Sequence, residues 1–255
     1  MIRAAFFDID GTLLSFRTHQ VSAGTLRAIS KLRQNGTQIF LSTGRPKVLI
    51  PPLPFEVDGL ITMNGALVLG KRGEHLLSNP IPQTDTEHWI DYAAQHKLCT
   101  MLFTADSMIA SQINAAGIAL RDQLGFTMPP VADIQSLHGI ETFQIIALME
   151  ANRDGEVSAL LPNCRLPRWH PQFTDIVARG NSKARGMEVL CHQVGIAQAD
   201  TIAFGDGAND IEMLRWAGIG IAMGNASPEV KQAADLVTAD ADHEGIEQTI
   251  NQLLS

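Results

Sequence analysis

Short apolar runs alternate with helical patterns at both ends of this chain, and that alternation leaves few folds open. Residues 3–8, RAAFFD, read as a buried strand. Residues 22–34 place Leu26, Ile29 and Leu32 on one stripe, the spacing of an amphipathic helix. Further strands are expected at 37–42 (TQIFLS) and 59–63 (GLITM). The pattern returns later: a helix over 182–194 with Met187, Leu190 and Val194 in register, a strand at 201–206, a helix at 208–217 and a strand at 218–223. Ser227-Pro228 has the form of a helix start, a capping hydroxyl followed by proline at the first helical position. A short strand at 236–238 and a helix at 244–254 close the chain. Strands alternating with helices predict an α/β core, a doubly wound, Rossmann-like parallel sheet.

The middle differs. Pro80 and Pro82 punctuate the chain, and Thr84-x-x-Glu87 has the form of a capping box opening a helix to about His96. Strand-like pieces follow at 98–104, 108–113 and 142–149. We therefore expect residues 1–81 and 181–255 to form one core, with an α+β domain inserted over 82–180. No internal repeat or low-complexity stretch interrupts this plan.

Composition narrows the function. The 255 residues carry 19 Lys+Arg against 27 Asp+Glu, a formal net charge of -8, which disfavours a nucleic-acid partner. With 45% hydrophobic and 18% charged residues the chain has the balance of a globular protein rather than a disordered one. No apolar run reaches the ~18 residues of a membrane span, and the carboxylates of MIRAAFFDIDGT do not suit a signal-peptide core. Cys99, Cys164 and Cys191 are too widely spaced for a zinc knuckle or a disulfide framework. A reducing, cytoplasmic setting is the expectation.

Four segments carry chemistry. Asp8-Ile9-Asp10-Gly11-Thr12-Leu13 ends the first strand with two carboxylates, costly beside Phe and Ile unless paired or metal-bound. The plain alternative is a solvated turn. Gly205-Asp206-Gly207-Ala208-Asn209-Asp210 again follows a strand, and read by itself is a capped helix start. In an open α/β sheet active groups collect beyond the carboxyl ends of strands, where the strand order reverses, so Asp8 and Asp206 are expected on adjacent strand ends. Carboxylates converging there need a hard cation, and an oxygen-only set favours magnesium over zinc. Ser42-Thr43-Gly44-Arg45-Pro46 places hydroxyls and a glycine before an expected helix, whose N–H groups would face an anion. Lys183 stands at a helix start, where a cation is unfavourable unless it answers nearby negative charge. Its alternative is a solvated surface lysine.

Together these segments resemble the haloacid dehalogenase superfamily of phosphotransferases, and the insertion resembles the type IIB cap of the Cof-like sugar-phosphate phosphatases. The resemblance spans the whole chain. It implies Asp8 as nucleophile, forming an aspartyl-phosphate, and Asp10 as acid and base for the leaving alcohol and the water. It implies Mg²⁺ held by Asp8, the Asp10 carbonyl, Asp206 and Asp210. Thr43, Gly44, Lys183 and Asn209 would hold the phosphoryl group, Lys183 pairing also with Asp8. Arg45 and Asn64, at the ends of core strands, are further substrate-binding candidates. In the cap the richest segment is Arg168-Trp169-His170-Pro171-Gln172-Phe173-Thr174-Asp175, where Trp169, His170 and Asp175 are candidates for contacting a sugar.

The implied function is a magnesium-dependent phosphatase of small phosphorylated metabolites, hexose phosphates foremost. The implied partner is the small molecule alone, with no nucleic acid and no membrane, the protein acting as a monomer or weak homo-oligomer. The alternatives are a sugar phosphomutase, and a catalytically quiet phosphometabolite-binding regulator on the same fold.

Overall fold

The computed structural model describes residues 1–124, 127–168 and 171–254. The chain divides into two units: residues 1–45, 51–78 and 182–255, and residues 46–50 with 79–181.

In the first unit β1 (Ala4–Phe7) leads to α1 (Ala23–Gln34), β2 (Gln38–Ser42), β3 (Gly59–Thr62), β4 (Leu67–Gly70) and β5 (His75–Ser78). After the second unit come α5 (Lys183–Val194), β11 (Thr201–Gly205), α6 (Ile211–Trp216), β12 (Ile219–Ala222), α7 (Pro228–Ala233), β13 (Leu236–Val237) and α8 (Gly245–Leu253). The sheet order is β13-β12-β11-β1-β2-β3-β4-β5. The strands from β13 to β3 pair in parallel. The edge is different: β4 and β5 join antiparallel and form a hairpin after β3, an addition to the parallel sheet expected from the sequence.

Ala4, Ala5, Phe6 and Phe7 are all buried, as expected of a parallel strand covered on both faces. Alternation sends Phe6 to one face, where it stacks on Phe40 at 4.8 Å, and Phe7 to the other, where it stacks on Phe204 at 5.1 Å. Met187 and Leu190 of α5, with Met213 and Leu214 of α6, pack on the Phe6 face. Ser22 caps α1 by accepting from the Thr25 N–H, and Ser227 caps α7.

Two local expectations fail. The Thr84-x-x-Glu87 pattern is not a capping box: α2 (Gln83–Gln95) already contains Thr84, its cap is Pro82, and no side chain bonds there. Pro82 presets the backbone before the first helical residue, so the start lies two residues earlier than the pattern implies. The helix expected after Ser42-Thr43-Gly44-Arg45 is a single 3-10 turn, Lys47–Leu49. Pro51, Pro52 and Pro54 deny the chain further helical N–H donors.

The second unit adds β6 (Cys99–Phe103), β7 (Met108–Ala110), α3 (Ala115–Leu124), β8 (Gln144–Leu148), α4 (Asp154–Leu160), β9 (Cys164–Arg165) and β10 (Thr174–Ala178). Its sheet runs β7-β6-β8-β10-β9, with every pairing antiparallel. Trp89 and Ile90 of α2 and Val157 of α4 pack on Leu102, Ile145, Ala147 and Ile176. Asp85 ties α2 to the β9 approach by accepting from the Asn163 N–H at 3.0 Å. Among the described residues no helix is long and apolar enough to cross a membrane.

Asp58 joins the entrance of β3 to its neighbours. Its carboxylate accepts from the Ile39 N–H at 2.9 Å and from Lys71 at 2.9 Å, and pairs with Arg33. Burial pushes this carboxyl up, but Lys71, the Ile39 N–H and Arg33 together outweigh it and hold Asp58 below its usual 3.8. The contribution is therefore complete above the ordinary carboxyl value and lost as pH falls through the lower folded value. Asp58→Asn is expected to cost about 1 kcal/mol at pH 7, kept small because Lys71 is largely exposed and screened. Urea titrations should show the gap to wild type closing as pH drops from 4 to 2; a pH-independent gap would contradict this ion-pair account.

Candidate active site

Strand order brings the first three motifs together. Asp8 follows β1, Thr43 follows β2 and Asp206 follows β11, and these three strands are neighbours in the order β11-β1-β2. All three pair in parallel, so their carboxyl ends point the same way. The fourth motif arrives on α5, whose cap Ser182 accepts from the Arg185 N–H. Lys183 is the first residue of that helix.

Lys183 is wholly buried, and its Nζ donates to Asp8 Oδ1 at 2.6 Å and to Asp210 Oδ1 at 2.5 Å. The solvated-lysine alternative is thereby excluded. Burial pulls the ammonium toward neutrality, but the Asp210 and Asp8 carboxylates outweigh it and hold the charged form well above the ordinary lysine value. Burial pushes Asp8 well above the usual carboxylate range against the pull of Lys183, and the charges of Asp210 and Asp206 add to that push. Asp206 is pushed up to about 7, chiefly by burial and then by Asp210, with the Thr12 hydroxyl and Lys183 pulling back.

Asp210 is fully buried and uses both oxygens. Besides Lys183 it accepts from the Asp206 N–H at 2.9 Å and the Gly207 N–H at 2.8 Å, closing the 205–210 loop on itself. Two further donors hold Asp206: Thr12 Oγ1 at 3.1 Å and Asn225 Nδ2 at 2.8 Å. Neither was singled out from the sequence. Thr12 stands inside the first motif, and Asn225 lies in the loop after β12, beside the strand that precedes Asp206. Gly11, at φ +79°, turns the chain where an added Cβ would strike the Asp206 carboxylate and the Phe16 ring.

Asp8, Asp206 and Asp210 offer carboxylate oxygens that all lie within 4.8 Å of one another. Among the described residues one ammonium, that of Lys183, pairs within this cluster of two buried carboxylates and a half-buried one, so the cluster is short of positive charge. Its donors are oxygens only. Both facts fit a hard divalent cation.

Asp10 stands apart from that cluster. Its two oxygens accept from Arg45 Nε and a terminal Arg45 nitrogen, each at 2.7 Å. This forked geometry matches guanidinium to carboxylate. Thr43 is buried, and its hydroxyl oxygen accepts from the Arg45 N–H at 3.0 Å, so a local loop contact takes the place of the expected helix N-terminus. Asn64 is buried, and its Oδ1 accepts from Asn209 Nδ2 at 2.9 Å. Gly44 lies against both amides.

In the second unit Asp175 is buried on β10. Arg168, which opens the segment that holds the sugar-contact candidates, is committed to Asp154 by two hydrogen bonds of 2.6 and 2.8 Å and to the Phe173 carbonyl. Phe173 is buried. Trp169 and His170 lie outside the described residues.

Removing the ammonium should leave the buried carboxylates uncompensated. Lys183→Met is expected to lower unfolding free energy by about 3–5 kcal/mol at neutral pH in the presence of a chelator. Carboxyls whose folded pKa lies above the unfolded one lose stability as pH rises across that interval, so the deficit should be larger at pH 8 than at pH 5. Urea midpoints indistinguishable from wild type at both pH values would refute the central ion-pair triad.

The sequence profile of the haloacid dehalogenase-like hydrolases matches residues 5–250. The HMP-PP phosphatase of Yersinia enterocolitica is 30% identical over 240 residues, covering 91% of this chain and 87% of that protein. Among solved structures, the HAD subclass IIB sugar phosphatase BT4131 superposes with a TM-score of 0.90 at 34% identity, covering 98% of both chains. BT1666 from Bacteroides thetaiotaomicron, a phosphatase of the same superfamily, gives 0.87 at 32% identity, covering 99% of this chain and 95% of that one. With strand order, motif loops and overall likeness in agreement, the chain belongs to the haloacid dehalogenase-like hydrolases.

Proposed function

We propose that the protein is a magnesium-dependent phosphatase of small phosphorylated metabolites, sugar phosphates foremost, acting through an aspartyl-phosphate on Asp8. The observation that carries this reading is the Asp8–Lys183–Asp210 triad beside Asp206, with a second carboxylate, Asp10, two residues from the first. Likeness to a subclass IIB sugar phosphatase supports the sugar class.

In this reading Lys183 fixes one oxygen of Asp8, leaving the other to attack phosphorus in line with the departing oxygen. The P–O bond to the alcohol breaks as the Asp8–phosphorus bond forms. Asp10 delivers a proton to the leaving oxygen, then takes one from the water that attacks the acyl phosphate and regenerates Asp8. Asp10 is engaged by Arg45, so that pair opens before the proton moves, the incoming anion drawing the guanidinium. Asp8, the Asp10 carbonyl and Asp206 would hold the magnesium, whose positive charge would offset repulsion between carboxylate and phosphate. Asp210 holds the loop that presents Asp206. Thr43, the Gly44 N–H, Lys183 and Asn209 hold the phosphoryl oxygens.

The second unit, in this reading, is the cap that selects the leaving alcohol, with Trp169, His170 and Asp175 as candidates. The three cysteines are free and buried, which supports a reducing, cytoplasmic setting.

The decisive experiment is phosphate release from a panel of sugar phosphates and HMP-PP, with and without magnesium and without any bisphosphate activator. Release should need magnesium and should fall by about three powers of ten or more in Asp8→Asn. Undiminished turnover in that variant would defeat the mechanism. Thr12→Val and Asn225→Ala should each weaken magnesium binding by about 10–100-fold in calorimetric titration, because each removes a bond that aims Asp206.

A further inference from the structure

Three consecutive residues after β3 have left-handed backbones: Met63 at φ +50°, Asn64 at +55° and Gly65 at +90°. A buried methionine in that region is uncommon, and such strain persists only where surroundings hold it. Here two neighbouring segments hold it. The Asn64 N–H donates to the Thr43 carbonyl at 3.1 Å, and the Met63 N–H donates to the Arg45 carbonyl at 3.2 Å. The Thr62 hydroxyl donates to the same Arg45 carbonyl. On the other side an added Cβ at Gly65 would strike the carbonyl of Ser182, the residue that caps the Lys183 helix.

The Asn64 side chain points into this junction. Its Oδ1 accepts from Asn209 Nδ2, and a Cβ added at Gly44 would stand 3.1 Å from Asn64 Oδ1 and 3.4 Å from Asn209 Nδ2. One oxygen of Asn64 therefore occupies one proton of the Asn209 amide. The second proton of that amide keeps a direction set by the first.

We propose that Asn64 is a positioning residue rather than a substrate contact: the left-handed turn holds its carboxamide so that it orients the Asn209 amide beside the Thr43-Gly44-Arg45 loop. The catalytic consequence rests on the phosphatase reading; the positioning itself does not.

Asn64→Gly separates side chain from backbone, because glycine adopts this φ without strain while removing the acceptor. In protein labelled with ¹⁵N-asparagine, the Asn209 side-chain amide, assigned by its loss in Asn209→Ala, should show one slowly exchanging, downfield proton in wild type. That signature should vanish in Asn64→Gly while the melting temperature stays within a few degrees of wild type. The Asn64 amide should shift reciprocally in Asn209→Ala. An Asn209 amide unchanged in Asn64→Gly overturns the proposal whether or not the protein is active. In turnover, Asn64→Gly should lower kcat by about tenfold, the worth of one directed hydrogen bond. It should add almost nothing in an Asn209→Ala background, since a residue acting only through Asn209 has no second effect. Fully additive losses would overturn the positioning role. Absence of phosphate release by wild type would defeat the phosphatase reading alone, leaving the amide spectra to decide this inference.

Discussion

Lys183 is shared between Asp8 and Asp210 at a point from which water is excluded, and the rest of the site is arranged around that sharing. An ammonium with no exposure is costly to bury, and two carboxylates at hydrogen-bond distance make the cost bearable. The same ammonium limits the repulsion among three carboxylates without cancelling it. Burial first, and the remaining repulsion after it, push Asp8 and Asp206 upward. An unsatisfied negative field among oxygen ligands suits a hard divalent cation.

The parallel sheet explains how so much charge comes to one place. The central strands β1, β2 and β11 are apolar in their interiors because both faces are covered, so polar chemistry is confined to strand ends. Adjacent parallel strands point their carboxyl ends the same way, and the loops after β1, β2 and β11 meet there. The antiparallel β3–β4 connection places a strained turn in the same neighbourhood, where its backbone N–H groups serve the Thr43 loop. Local strain, loop hydrogen bonds and sheet order thus act on one centre.

Much of this was readable in advance where physics is local. The apolar runs of β1, β2, β11 and β12 announce buried strands, and Ser227-Pro228 announces a helix start that the structure bears out. Reading failed where a local signal met a competitor. Thr84 had the spacing of a cap, but Pro82 starts that helix earlier. The loop after Thr43 had the look of a helix start, but the prolines that follow stop it after one 3-10 turn. The β4–β5 hairpin gives little signal in the sequence because two four-residue strands show too little periodicity to read.

The sequence alone determined which chemistry was present: carboxylates, an amide and a lysine at strand and helix ends, in an order that resembles one superfamily. Only the tertiary structure decided which charge answers which. Lys183 and Asp8 are 175 positions apart, Asn209 and Asn64 145, and Arg45 and Asp10 35. Pairing of charges and direction of hydrogen bonds depend on separations of a few ångströms, which arise from strand order and the return path of α5. Thr12 and Asn225 are ordinary polar residues until folding brings both to the same aspartate. Hydrogen bonding is short-ranged and directional, so a residue's partner is a property of the fold, while its capacity to pair is a property of the residue.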